Sequence, residues 1–390
     1  MARALLVACV VIISMLGVFV YTGLTRDREF QQRVAEGDAA VRAGQTFRAL
    51  EAYSGALALD PESMVPYLKR GETYQRHGDL PAALRDLSMA AQRDPGATRP
   101  HENLGDVAYE LKRYDEAATH YSLYVELDDQ NADVLYKLAL ANERSGRVAH
   151  SIPLLRSAIA LEPAFAEAHY LLGLCLTQQA RLEEARDALR AAIQLSPGLL
   201  HAREALVTVY HELGDDRGEL QQLEALAALD QDRPGRHVAR GLAYARTGQT
   251  DLAVLALGRA LEEHPKQPHI YAALGRVWLE IAEARGDRVA LGKALEALRS
   301  VPTASAASES LTLLGRALAL DGDTDGALRI LRLATERFPV EPAAFLYLAR
   351  LEDANDNANR AQRLLRLHQA LTVGGQPPAL DTDESRVPNG

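Results

Sequence analysis

The stretch Lys69–Pro95, KRGETYQRHGDLPAALRDLSMAAQRDP, sets a glycine, two alanines and a proline at Gly71, Ala83, Ala90 and Pro95. The same phases return in Leu172–Pro197, LGLCLTQQARLEEARDALRAAIQLSP, as Gly173, Ala185, Ala192 and Pro197. Outward from these copies the prolines keep step. Pro61 lies 34 residues before Pro95, Pro163 lies 34 before Pro197, and Pro265 follows 68 after Pro197. Pro302 and Pro339 come at intervals of 37. Self-similarity at such a period marks a stacked array of repeated units.

Each unit carries the same punctuation. A small residue opens it at Gly37, Gly71, Gly105, Ala139, Gly173, Gly241 and Gly315, and a second falls twelve later at Ala49, Ala83, Ala117, Ser151, Ala185, Ala253 and Ala327. Small side chains at fixed phases let two helices approach closely while large ones fill the gaps between them. Leu104, Leu138, Leu172, Leu206, Leu274 and Leu314 recur one before the small position and read as core. Gly44, Gly78, Gly146, Gly214, Gly248 and Gly322 stand where the first helix must end, and glycine supplies the left-handed backbone for that. The proline cannot continue the second helix and opens the next unit. Aromatic content of 5% also favours helices over sheets.

The pattern L-G-x-x-Y with downstream Ala, Ala and Pro resembles the tetratricopeptide repeat, best in Arg70-Gly71-Glu72-Thr73-Tyr74 to Pro95 and Leu172-Gly173-Leu174-Cys175-Leu176 to Pro197. The resemblance runs from about Phe30 to Leu371. It implies an all-α fold, a right-handed superhelical α-solenoid of helix-turn-helix units over residues 30–371, with about nine full repeats and a partial tenth from Pro342. Residues 200–231 are the least regular unit, with Val207, Glu219 and Leu226 in place of small residues. The unit from Pro268 has three extra residues, expected in a turn at Ala284–Asp287, and three more fall in Thr303–Ala307. Residues 372–390 lack periodicity and read as a disordered tail.

Ala4–Leu24 is a 21-residue uncharged run, with Arg3 before it and Arg26, Asp27, Arg28 and Glu29 after it. As a helix it reaches about 31 Å, the thickness of a hydrocarbon core. The reading is a transmembrane helix over 4–24, after a short flank at 1–3 and before a linker at 25–29. A cleaved signal peptide and a lipoprotein signal at Cys9 are the alternatives. With almost no chain before the anchor, the solenoid is expected outside the cytoplasm, making a single-pass membrane protein.

No phosphate-binding loop, zinc-protease, nucleophile-elbow or dinucleotide motif occurs. Cys9 and Cys175 are too few for a disulfide framework or a metal knuckle. His201, Glu204 and His211 form the densest histidine group and read as solvated residues rather than metal ligands. No catalytic residue, metal or cofactor is expected, and the chain does not read as an enzyme. A net charge of −10 disfavours a nucleic-acid partner.

Recognition remains. In repeat proteins the inner helices line a concave face. The resemblance, carried over residue by residue, places a partner-binding groove at Glu102, Asp106, Tyr109, Tyr136, Leu140, Glu143, Tyr170 and Leu174. Arg99, Glu110, Asp133, Arg144, Glu167 and Thr177 accompany them. Tyr109, Tyr136 and Tyr170 would make an aromatic stripe flanked by carboxylates, suited to an extended or helical peptide bearing Lys or Arg. The carboxylate clamp that grips chaperone tails is disfavoured, because Asp38 stands where the clamp needs a neutral or basic group. The function implied is a membrane-anchored scaffold for protein–protein interactions, with a bacterial envelope assembly as its setting because Arg far outnumbers Lys. The alternative is a regulatory or substrate-recruiting subunit of a separate enzyme such as a glycosyltransferase complex.

Overall fold

The computed structural model describes residues 2–229 and 234–372, without the side chains of residues 2–14, 16–20 and 234. Among the described residues there are twenty helices and no strand. They form helical hairpins along the chain: α1 (Ala2–Arg42) with α2 (Thr46–Leu59), α3 (Met64–His77) with α4 (Leu80–Arg93), α5 (Thr98–Glu110) with α6 (Tyr114–Leu127), α7 (Ala132–Arg144) with α8 (Val148–Leu161), and α9 (Ala166–Gln178) with α10 (Leu182–Leu195). Next come α11 (Leu200–Leu213), α12 (Asp216–Leu229) and the pairs α13 (Pro234–Arg246) with α14 (Thr250–Glu263) and α15 (Pro268–Arg285) with α16 (Arg288–Arg299). The last are α17 (Ser308–Asp321) with α18 (Thr324–Thr335) and α19 (Pro342–Ala354) with α20 (Ala358–Thr372). The chain divides into two compact units, Met1–Val209 and Tyr210–Gly390. That boundary falls in the stretch where the repeat pattern is weakest.

The glycine of each inner helix exists because a large side chain of the outer helix fills the space a Cβ would need. A Cβ on Gly71 would meet Leu87 Cγ at 2.8 Å, and one on Gly241 would meet Leu257 Cγ at 2.6 Å. Gly173 faces Leu189 and Gly315 faces Leu331 in the same way, whereas Gly37 and Gly105 receive the rings of Tyr53 and Tyr121. Each partner lies sixteen residues on, so the period in the sequence is a period of side chains seated under backbone. The twelve-later residues Ala49, Ala83, Ala117, Ser151, Ala185, Ala253 and Ala327 are all fully buried. Ser151 meets the cost of a buried hydroxyl by donating to the Ala139 carbonyl at 2.7 Å.

Helix-ending turns use left-handed backbone at each turn glycine, with φ between 63° and 90°. Where the sequence lacks glycine, Lys112, Ala180 and Asp356 adopt the same conformation at φ 59°, 54° and 62°. They stand one period from Gly78, Gly146 and Gly322, so the turn is imposed by the array rather than by glycine.

Two expectations need correction. The extra residues of the Pro268 unit do not swell a loop: α15 has 18 residues, the turn stays tight at Gly286, and Gly275 is covered by Leu298, twenty-three residues on. The turn glycine comes about one helical turn later after Gly275, and the covering leucine about one turn later again after Gly286, and Ala294 takes the close-approach position. The irregular unit buries Glu219, and its charge is met by Arg246 Nη2 at 2.6 Å and by His211 Nδ1 at 3.2 Å. A carboxylate replaces an alanine there because a guanidinium from the next hairpin reaches it.

The membrane placement is overturned: among the described residues no helix is long and apolar enough to cross a membrane. The stretch 4–24 is not a self-contained span set off by a linker at 25–29. It runs unbroken into the 41-residue α1, whose later part, with Arg26, Asp27, Arg28 and Glu29 in it, belongs to the first hairpin. The Arg26 guanidinium donates to the Leu59 carbonyl at the end of α2. The single-pass, extracytoplasmic assignment falls with the anchor. Of the tail at 372–390, Thr372 closes α20 and the remainder lies outside the described residues.

Candidate functional site

The residue just after the small position of each inner helix defines the chemistry of the groove. In the first unit it is Asp38, Glu72, Asp106, Leu140 and Leu174 in successive hairpins. Each carboxylate is taken up by the next hairpin. Asp38 accepts from Lys69 Nζ at 2.7 Å and from the Tyr53 hydroxyl at 2.8 Å. Glu72 accepts from Arg99 Nε at 2.8 Å and Asn103 Nδ2 at 3.0 Å. Asp106 accepts from the Tyr121 hydroxyl at 2.7 Å and lies 3.3 Å from Lys137 Nζ, which also donates to Glu102 at 2.8 Å.

These pairings set the electrostatics. Burial pushes the Asp38 carboxyl up, and the hydrogen bonds from Lys69 and Tyr53 more than reverse it, leaving it below its ordinary value. Burial pulls the Lys137 ammonium down, while Glu102, Asp106 and Asp133 together hold it above its ordinary value. The Tyr53 and Tyr121 phenols are pushed far up, by burial first and by their carboxylate partners next. All four groups therefore keep one charge state over the physiological range.

Around this ladder the expected groove residues fall into three groups. Asp106, Tyr109 and Leu140 share a hollow of about 260 Å³ with Gln75, Glu110, Tyr121 and Lys137. Glu102 stands beside it on Lys137. Tyr136 and Tyr170 lie outside that hollow but continue from it. The Tyr136 phenol is raised by burial and then by Glu167, Tyr109, Asp133 and Tyr170. Tyr170 is raised by burial and then by Glu204. Glu143 pairs with Arg144 at 3.5 Å and accepts from Gln178 at the same distance. Leu140 and Leu174 are half-buried and follow the acids in register.

The tyrosines are partly covered by rings the sequence reading did not single out. Tyr109 meets Tyr114 edge-on with centroids 5.2 Å apart, and Tyr136 meets Phe165 at 5.0 Å. Lys69, Lys137, Tyr53 and Tyr121 were also missed. Their signal was present: Gly-Asp, Tyr and Lys at 37–38, 53 and 69 recur 68 residues later at 105–106, 121 and 137. The Lys69 ammonium is engaged by Asp38 at 2.7 Å rather than offered to a ligand carboxylate.

Among the described residues no group of three or more His, Cys, Asp or Glu is placed to hold a metal ion. His211 faces Glu219 instead. Burial pushes the Cys175 thiol up to about 11, leaving little thiolate at neutral pH.

Comparison with known proteins agrees with this architecture. A family described as the cilia and flagella-associated protein 70 C-terminal domain matches residues 34–209, and the tetratricopeptide-repeat family matches residues 238–266. The small glutamine-rich tetratricopeptide repeat-containing protein 2 of Mycosarcoma maydis is 32% identical over 114 residues, 29% of this chain and 32% of that one. The Hsp70-Hsp90 organizing protein 3 of Arabidopsis thaliana is 29% identical over 87 residues, 22% of this chain and 16% of that one. The matched stretch thus spans a third of the first relative and a sixth of the second. Among solved structures, YrrB, a TPR protein with an unusual peptide-binding site, is 23% identical with a TM-score of 0.45, covering 47% of this chain and 95% of that one. PilF of Pseudomonas aeruginosa is 18% identical with a TM-score of 0.45, covering 54% and 95%. These matches support a tetratricopeptide-repeat protein, and the described residues form an all-helical array in keeping with it.

Proposed function

We propose that the chain is a protein-binding scaffold whose first unit docks a peptide along Glu102, Asp106, Tyr109, Tyr136, Leu140, Glu143, Tyr170 and Leu174. One observation carries the reading: the groove carboxylates are already engaged by Lys137, Tyr121, Arg144 and Gln178, so the face offered to a ligand is Tyr and Leu. The ligand is accordingly a peptide with aromatic or aliphatic anchors, and a ligand chosen for its Lys and Arg is disfavoured. Rigid amphipathic tyrosines bury area at low entropic cost, as such anchoring requires. The hollow at Asp106, Tyr109 and Leu140 has room for one large side chain.

The test is selection of peptides from a random library on the full chain, with the Tyr136→Ala/Tyr170→Ala protein as counter-target. Enrichment of sequences with paired apolar anchors that lose binding in the variant is expected. Selected peptides that bind both proteins equally would remove the reading.

A further inference from the structure

In the second unit the residue after the small position changes sign: after Leu242 come Arg276, Arg316 and Arg350. The pairing rule of the first unit persists. Every engaged side chain at this position meets a residue two or six before the small position of the next inner helix. Lys69, Asn103 and Lys137 stand two before it, and Arg99 stands six before it. Arg276 meets Glu309, six before Gly315, and Arg316, which forms its ion pair backward with Glu283 of α15 at 2.7 Å, also lies over the Tyr347 ring at 4.7 Å, two before Ala349. Arg350 ends the series. It is exposed, its guanidinium leans 5.5 Å from Tyr347 of its own helix, and it makes no ion pair among the described residues.

The last hairpin is uncovered in its apolar part as well. Leu87, Leu189, Leu257 and Leu331 sit beneath the glycine of their hairpins and are 0% exposed, while the equivalent Leu365 of α20 is 39% exposed. Interior leucines are sealed by the helix that follows, and no described helix follows α20. The helix α20 is basic, with Arg360, Arg363 and Arg366 and no Asp or Glu, while α19 carries buried Glu352 and exposed Asp353 at its end. Arg360 reaches Glu352, whereas Arg363 and Arg366 are exposed and form no ion pair.

We propose that the outer face of α19 and α20 docks an acidic amphipathic helix of a partner protein, which takes the place of a next inner helix. Its apolar side covers Leu365, and a carboxylate or an aromatic ring meets Arg350 where Glu309 meets Arg276 and Tyr347 meets Arg316. Such a helix carries an acid and an aromatic residue four apart, one turn of helix, with leucines on the same side. Apolar burial supplies the affinity, and the arginines set orientation and partner choice.

The experiment uses a synthetic amphipathic peptide of about five turns, with leucines on one side and Glu and Tyr four apart, titrated against the full chain. A second peptide carries Lys in place of each Glu. The proposal expects saturable binding of the acidic peptide, weakened about tenfold or more by Arg350→Glu, and recovery of that variant with the Lys peptide. Arg350 is exposed, so the variant keeps the helical content of the parent. Equal affinity of parent and variant, absence of binding, or competition by a peptide for the Tyr136–Tyr170 groove would each overturn it. Binding seen only after removal of residues beyond Thr372 would overturn it too, by naming that segment as the occupant.

Discussion

The two units use one register position in opposite ways. In the first, Asp38, Glu72 and Asp106 follow the small residue and are answered by Lys69, Asn103 with Arg99, and Lys137. In the second, Arg276 and Arg316 hold that position; Glu309 answers Arg276, while Arg316 pairs back with Glu283 and reaches forward over the Tyr347 ring. Packing beneath is the same in both, with a glycine seated on a leucine or tyrosine. The helix pair is therefore a constant of the array. The rung that joins one inner helix to the next is a variable, and its sign is free so long as the neighbour answers it.

The largest effect tests what the units share. Gly173→Val in the first unit and Gly241→Val in the second each force a side chain into Leu189 or Leu257, and each should cost about 3 kcal/mol. Amide exchange of the affected hairpins reads this. A large difference between the two sites would break the claim of common packing.

Next comes the second unit's most enclosed carboxylate. Glu352 is 1% exposed and accepts from Arg332 Nη2 and Asn357 Nδ2, both at 2.9 Å. Glu352→Ala should cost about 2 kcal/mol in the stability of α18–α20. Burial pushes Glu352 up, but its arginine and asparagine partners hold it below the ordinary value of 4.5. The stability it contributes is present above about that pH and is lost as the pH falls through its lowered value. Acid titration followed by near-end amide exchange should show the loss in the parent and not in Glu352→Ala.

Lys137→Met is expected to cost about 1 kcal/mol in α5–α7, because its ion pairs are partly screened. Since Lys137 is held above its ordinary value of 10.5, its contribution is full below that pH and lost as pH rises through the raised value. A parent chain that shows no alkaline loss relative to the variant would contradict the ladder. The smallest effect has the opposite sign. Ala180→Gly should stabilise α9–α10 by about 0.5 kcal/mol, because φ of 54° strains alanine.

Much of this was legible in residue order. The glycine, alanine and proline phases specify hairpins because close approach and helix termination leave few residue choices. The turns at Lys112, Ala180 and Asp356 were not legible, since nothing local in those residues asks for left-handed backbone. The added turn in α15 was misplaced into a loop for a related reason: an insertion of three or four residues is read equally well as coil or as one turn of helix. The apolar N-terminal run was read alone, although it continues without a break into a helix of the array. Tyr109, Tyr136 and Tyr170 were named by register alone. Their covering rings Tyr114 and Phe165 lie on other elements, and Lys137, although it follows Tyr136 on α7, meets Glu102 and Asp106 of α5 only when the hairpins stack.

The most direct test is a double-mutant cycle on Asp106→Asn and Lys137→Met, read as local unfolding free energies of α5–α7 by native-state amide exchange. Engagement of Asp106 by the next hairpin predicts that the two substitutions are coupled, the double variant losing less than the two singles together by about 0.5 kcal/mol or more. Strict additivity would mean that Asp106 and Lys137 do not engage each other across the hairpins, which contradicts the account.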